Sequence, residues 1–154
     1  MQIKCKSIDV DAKLPTKNDG DIGWDIYCVP DENWHKVYGL NKEELYFELS
    51  PGKSHVFRTG ISMEIPDGYA GLLWDRSGLS AKFGVHRLAG VIDSSYRGEI
   101  MVCLINLGES TVTISKHDRI IQMIIQEEIK CQIEWAEELT TSEREAQGFG
   151  SSGR

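Results

Sequence analysis

The sequence predicts an all-β domain, a sandwich or barrel. Three observations lead there. Apolar residues come in short alternating or continuous runs, most of them β-branched or aromatic. Turn signals recur between the runs, as in SPGKS, IPDGYAG, SYRGE and NLGES. No internal repeat, heptad or low-complexity tract interrupts that rhythm. With 154 residues, the chain is long enough for one domain with a sizeable core.

In chain order, strands are expected at 1–8, 22–29, 46–49, 55–65, 70–74, 90–93, 99–106, 111–114, 119–128 and 134–136. Two short segments read as helical. One is 41–45, NKEEL, with Asn41 as its N-cap; the other is SGLSAKF, Ser77–Phe83. The run RIIQMIIQEEI has a helix's length, but isoleucine dominates it, so a buried strand is predicted. From about Leu139 the composition turns small and polar. Residues 1–138 therefore read as the β domain and 139–154 as a separate arm. Phe149 stands there between glycines, so the tail is either a disordered end or an arm that orders over a ligand.

At 40% apolar and 27% charged, the composition is that of a soluble globular protein. No apolar run approaches the roughly 18 residues of a membrane span. The N-terminal MQIKCKSIDV lacks the apolar stretch of a secretory signal. The expectation is a cytoplasmic protein with no membrane contact. A net charge of −7 argues against a broad nucleic-acid-binding surface. It leaves room for one small anion in a local pocket of arginine and backbone N–H groups. Cys5, Cys28, Cys103 and Cys131 are dispersed, with no C-x-x-C pair, and read as free thiols.

Several stretches carry chemistry. In DRSGLS, Asp75 to Ser80, Arg76 offers a bidentate fork, Ser77 a hydroxyl and Gly78 exposed N–H groups, a set that suits phosphate or a capped surface turn. In GVIDSSYRGEI, Gly90 to Ile100, Asp93 leaves an apolar strand for a serine-rich turn. It is either a turn-starting residue or a carboxylate placed to activate water. Tyr96 can lie flat on a ring or sugar. HDRIIQMII places Gln122 within an apolar run after Asp118 and Arg119. DIGWDIYCV sets Asp25 among apolar residues, where it needs a hydrogen bond or a cation. The tail REAQGFGSSG adds Arg144, a Gly150 nest and the hydroxyls of Ser151 and Ser152, without a Walker A ending.

In this order the five stretches resemble the five motifs of the trimeric dUTP diphosphatase (dUTPase) family, and the resemblance spans nearly the whole chain. It implies a jelly-roll-like β protomer with a mobile C-terminal arm. It also implies a homotrimer whose shared active sites each draw on all chains: one supplies the first, second and fourth motifs, a neighbour the third, another the arm. The implied reaction is hydrolysis of dUTP to dUMP and pyrophosphate, with Mg²⁺. By position, Asp93 matches the carboxylate that activates water for attack on the α-phosphate. Tyr96 matches the tyrosine packed on the deoxyribose. Gly90, Ile92 and Met101 match the hairpin whose backbone reads uracil. Arg76, Ser77, Gly78 and Gln122 match phosphate contacts, and Asp25 matches the aspartate that meets the metal through water. Arg144, Gly150, Ser151 and Ser152 match the arm's grip on the γ-phosphate, and Phe149 matches the aromatic that closes over the base.

The chain also departs from the family pattern. Ser95 stands where a second acid is usual, Asp75 where proline is usual, and His117 where glycine is usual. Glu145 and Gln147 replace arm glycines. The segment PDENWHKVYGLNKEELYFELSPGK is longer than the pattern; it reads as a surface insertion or as a contact with another subunit or partner. Two other functions fit the same fold: a dCTP deaminase-like relative, and a regulatory binding protein.

Overall fold

The computed structural model describes residues 1–38 and 43–142. It contains β1 (Lys4–Ser7), β2 (Trp24–Tyr27), β3 (His35–Tyr38), β4 (Glu43–Leu49), β5 (Ser54–Phe57), β6 (Ile61–Glu64) and β7 (Tyr69–Trp74). After helix α1 (Ser77–Phe83) come β8 (Val85–Arg87), β9 (Val91–Ile92), β10 (Val102–Asn106), β11 (Val112–Ser115) and β12 (Arg119–Glu127). The strands pair in the orders β2-β12-β7-β9, β5-β10-β8, β11-β4-β3 and β1-β6. Every pairing is antiparallel, and late strands return beside early ones: β12 beside β2, β11 beside β4. That is the jelly-roll-like β architecture expected.

The reasons are local. In β10, Val102, Leu104 and Asn106 are buried while Cys103 and Ile105 are half-exposed, the alternation of a strand with one face on the core. Buried Asn106 is satisfied: its amide donates to Leu49 O and Ser110 O, both at 2.8 Å, and its Oδ1 accepts from Gly108 N–H at 2.9 Å. β12 is the isoleucine-rich run, and it lies inside its sheet between β2 and β7. A register shift between Arg119 and Ile121 lets the consecutive Ile120 and Ile121 both reach the core. α1 covers the residues predicted and ends on Gly84 in the left-handed region, φ 70°, whose N–H donates to Ser80 O. No helix among the described residues is long and apolar enough to cross a membrane.

Two expectations fail. Of the segment read as a helix at 41–45, residues Glu43 to Leu45 belong to β4, and Asn41 lies outside the described residues. Pairing with β3 on one side and β11 on the other, with Leu45 and Phe47 against the core, overrides the helix-forming Lys-Glu-Glu-Leu. This hairpin falls in the segment read as a surface insertion and is rooted by buried Trp34 against Phe47 and Phe57. The strand expected at 134–136 is absent. After β12 the described chain to residue 142 has no regular structure, and Ile133 and Trp135 are 97% and 103% exposed. Strand propensity without a pairing edge does not make a strand. The single run at 55–65 is two strands, β5 and β6, with Gly60 at φ 68° between them.

All four cysteines are free. Burial, with the charge of Asp118 behind it, pushes the Cys28 thiol up to about 12. Exposed Cys131 is therefore expected to alkylate at pH 8 in the folded protein, while Cys28 stays unmodified until the chain is unfolded; peptide mass spectrometry distinguishes the two.

Candidate active site

β12 organises the first half of the site. Its register sets Gln122 opposite Asp25 of β2 on one side and Trp74 of β7 on the other. The first, second and fourth motifs therefore meet at one end of one sheet. Asp25, Arg76, Ser77, Arg119 and Gln122 line a concavity of about 430 Å³. Asp25 accepts from Arg76 Nε at 2.6 Å and from Arg119 Nη1 at 3.1 Å. Arg76 Nη1 donates to Arg119 O at 3.0 Å, and Gln122 Nε2 to Asp75 O at 2.8 Å. Asp25 thus has the cations that its apolar setting requires, and Arg76 is held with part of its fork toward the concavity. Ser77 and Gly78 open α1, where first-turn N–H groups lack helical partners.

Arg119 and Gly23 carry no site signal in the sequence; the structure places Arg119 beside Asp25 and Gly23 against Gln122. A Cβ there would collide with the Gln122 side chain, so glycine is what lets Gln122 lie in the corner. Asp75 turns away from the concavity. Its carboxylate accepts from Arg87 N–H at 2.9 Å and pairs with His86 Nδ1 at 2.5 Å, which ties the end of β7 to β8. His117 adopts φ 69°, and its Nε2 bonds Asp11 O at 2.8 Å. That bond gives a non-glycine residue a partner at a left-handed position.

The second half is the hairpin around β9. This strand ends its sheet, so one edge of the Gly90–Ile92 backbone lies outside the ladder. Leu73 N–H donates to Gly90 O on the paired edge, and Leu88 N–H to Cys103 O where the hairpin closes. Exposed Asp93 follows β9 and starts a turn in which Tyr96 N–H donates to Asp93 O at 3.1 Å. Tyr96 Oη donates to Glu99 O at 2.8 Å. A Cβ on Gly98 would come within 2.5 Å of that hydroxyl, so the glycine makes room for the tyrosine. Glu99 anchors the hairpin by accepting from Gly60 N–H at 2.8 Å and from Thr59 N–H and Arg58 Nε, both at 3.2 Å. Burial opposes the Arg58 charge, but Glu99 and Asp9 outweigh it and hold the guanidinium above its ordinary value. Met101 is exposed beside the opening, and Ile92 is half-buried behind it.

The two halves stand apart within one protomer. Asp93 follows Ile92, which pairs with Gly71, so it is level with Ala70. Arg76 lies six residues further along the same extended chain, about 20 Å away at roughly 3.3 Å per residue. Arg144, Phe149, Gly150, Ser151 and Ser152 lie outside the described residues.

An arginine-lined concavity at one end of a β sheet, with an unpaired strand edge and a loop carboxylate at the other, is the layout of an enzyme that handles an anionic heterocyclic ligand. The dUTPase family model matches residues 41–153, a span that takes in the second to fifth motifs. The deoxyuridine 5'-triphosphate nucleotidohydrolase of Hydrogenobaculum sp. is 38% identical over 156 residues, covering 99% of both chains. That of Clostridium tetani is also 38% identical, over 99% of this chain and 97% of its own. Among solved structures, the dUTPase of Staphylococcus bacteriophage 80alpha with dUPNHPP superposes at a TM-score of 0.83, with 26% identity and 99% coverage of both chains. The chain belongs to the dUTPase family, a family of nucleotide hydrolases.

Proposed function

We propose that the protein hydrolyses dUTP to dUMP and pyrophosphate at sites shared between copies in a homotrimer. The observation that carries this is the corner where Asp25, Arg76, Ser77, Arg119 and Gln122 converge, set about 20 Å from Asp93 in the same chain. The water activated by Asp93 must meet the α-phosphorus of phosphates held at the corner, so the Asp93 that acts at a given corner is assigned to a neighbour. The apolar Ile129, Ile133, Trp135 and Leu139 after β12, each at least 86% exposed in the single chain, support a further copy to receive the arm.

In this reading the base lies against the free edge of β9. Uracil's alternating acceptor–donor–acceptor edge complements hairpin backbone groups at Gly90, Ile92 and Met101, apart from Gly90 O, which Leu73 N–H already occupies. Tyr96 packs on the deoxyribose and leaves no room for a 2′-hydroxyl. Arg76, Ser77, Gly78 and Gln122 hold the phosphates, and exposed Asp93 takes a proton from the water that attacks the α-phosphorus. Among the described residues no three His, Cys, Asp or Glu side chains form a metal cage, and Asp25 is already paired with two arginines. That donor set fits a Mg²⁺ carried by the triphosphate and met by Asp25 through water; bound there, it would offset charge on the phosphates. Arg144, Gly150, Ser151 and Ser152 of the arm grip the γ-phosphate while Phe149 closes over the base and excludes water.

Pyrophosphate release measured across the common nucleoside and deoxynucleoside triphosphates plus dUTP tests the reading. Release from dUTP alone is expected. Ammonia release from dCTP would replace it with the deaminase alternative. Gly98→Ala, by pushing Tyr96 off its seat, is expected to raise KM for dUTP several-fold and to narrow the preference for dUTP over UTP; unchanged discrimination would remove Tyr96 from the sugar contact.

A further inference from the structure

One arginine near the hairpin is not used by the assignments above. Arg87, the last residue of β8, is half-buried. Its guanidinium lies 5.1 Å from the Trp74 ring centre, a cation–π contact that holds its plane. One terminal nitrogen, Nη1, sits 2.7 Å from where a Cβ on Gly90 would be, so this side chain lies directly against the hairpin strand and a larger residue there would displace it. Among the described residues no carboxylate or carbonyl accepts from the guanidinium. The nearest acid, Asp75, is occupied by His86 and by Arg87's own backbone N–H. No guanidinium nitrogen of Arg87 is both buried and unpaired, so water satisfies the fork until a ligand acceptor displaces it.

The direction of the hairpin indicates which ligand atom arrives. The opening closes on the Leu88 N–H to Cys103 O bond at one end and leads to Asp93 and Tyr96 at the other. With the sugar at Tyr96, N1 of the pyrimidine faces that outer end. Position 4 is diametrically across the ring from N1, so its substituent points inward, toward Gly90 and Arg87. Uracil carries an acceptor there, the 4-oxo group; cytosine carries an amino donor, which would leave the arginine unpaired and place donor against donor.

We propose that Arg87 is a specificity-determining residue that donates to the 4-oxo group of the bound pyrimidine. This rests on the dUTPase reading of the hairpin. The test compares kcat/KM for dUTP, dCTP and the triphosphate of the 2-pyrimidinone deoxynucleoside, which lacks the 4-oxo group, in the wild type and in Arg87→Met. The variant is expected to lose about 10- to 100-fold on dUTP and little on the 2-pyrimidinone analogue, so that the ratio between them collapses and the dUTP preference over dCTP narrows. Equal losses on dUTP and the analogue, or unchanged ratios, would overturn the assignment. Should Arg87→Met fail to assemble, Arg87→Lys carries the same comparison, with a partial collapse expected and unchanged ratios counting against the assignment. A wild type that does not hydrolyse dUTP refutes the hydrolase reading itself; a wild type that does, with a variant of unchanged ratios, refutes only the role of Arg87.

Discussion

Asp93→Asn is expected to lower kcat for dUTP by about 10³-fold, with KM changed little, because a positioned general base contributes on the order of 10²- to 10⁴-fold. The substitution is nearly isosteric. It falls at an exposed turn residue with no side-chain hydrogen bond among the described residues, so the melting temperature should not move. Ser95 makes the prediction stricter. Where the family pattern has a second acid two residues after the first, this loop has a hydroxyl, so no neighbouring carboxylate is available to take over the proton. Steady-state pyrophosphate release with a parallel thermal melt measures both quantities. A variant that retains more than about a tenth of the activity would show that Asp93 is not the base.

Arg76→Ala is expected to cost a comparable factor in kcat/KM, about 10³-fold, since a charge-assisted contact to a transferring phosphate is among the strongest terms such a site has. All three guanidinium nitrogens already have partners, Nε and Nη2 on Asp25 and Nη1 on the Arg119 carbonyl. That geometry belongs to a planar fork. Arg76→Lys is therefore expected to restore charge but not position, and to recover only a small part of the loss. Full recovery with lysine would mean that Arg76 acts as a point charge and that its hydrogen bonds to β2 and β12 are incidental. Removing the guanidinium also leaves Asp25 with Arg119 alone, so some loss of fit at the corner is included in the effect.

What was legible in the sequence is what local pattern alone determines. β12 was readable because isoleucine fills it so densely that a helix would have no polar face to expose, and a strand inside a sheet needs none. α1 was readable because Arg76 and Ser-Gly mark its start and Gly84 follows it. The corner was readable as motifs but not as a place. Only the register of β12 against β2 and β7 brings Asp25, Arg76 and Gln122 together. Arg119 carries no local signal because its partner, Asp25, is 94 positions away. Asp75 was ambiguous, since a carboxylate beside a phosphate-binding arginine either repels the ligand or faces elsewhere; its bonds to His86 and Arg87 show that it faces elsewhere. The segment at 43–45 misled because Glu and Leu favour helices locally, while its partners in β3 and β11 are set by tertiary pairing. Residues 134–136 misled in the opposite sense, having strand-like composition but no edge to join.

The central claim is that one active site takes Arg76 and Asp93 from different copies of the chain. Mixing tests it most directly. Asp93→Asn and Arg76→Ala subunits, each nearly inactive alone, are unfolded together in equal amounts, refolded, and assayed for pyrophosphate release from dUTP. If the halves come from neighbouring copies, randomly mixed trimers regain about a quarter of the wild-type activity, because three-quarters of them contain one intact site of three. If both residues serve the same protomer, every site in every mixture carries one lesion and no activity returns; that result would contradict the shared site.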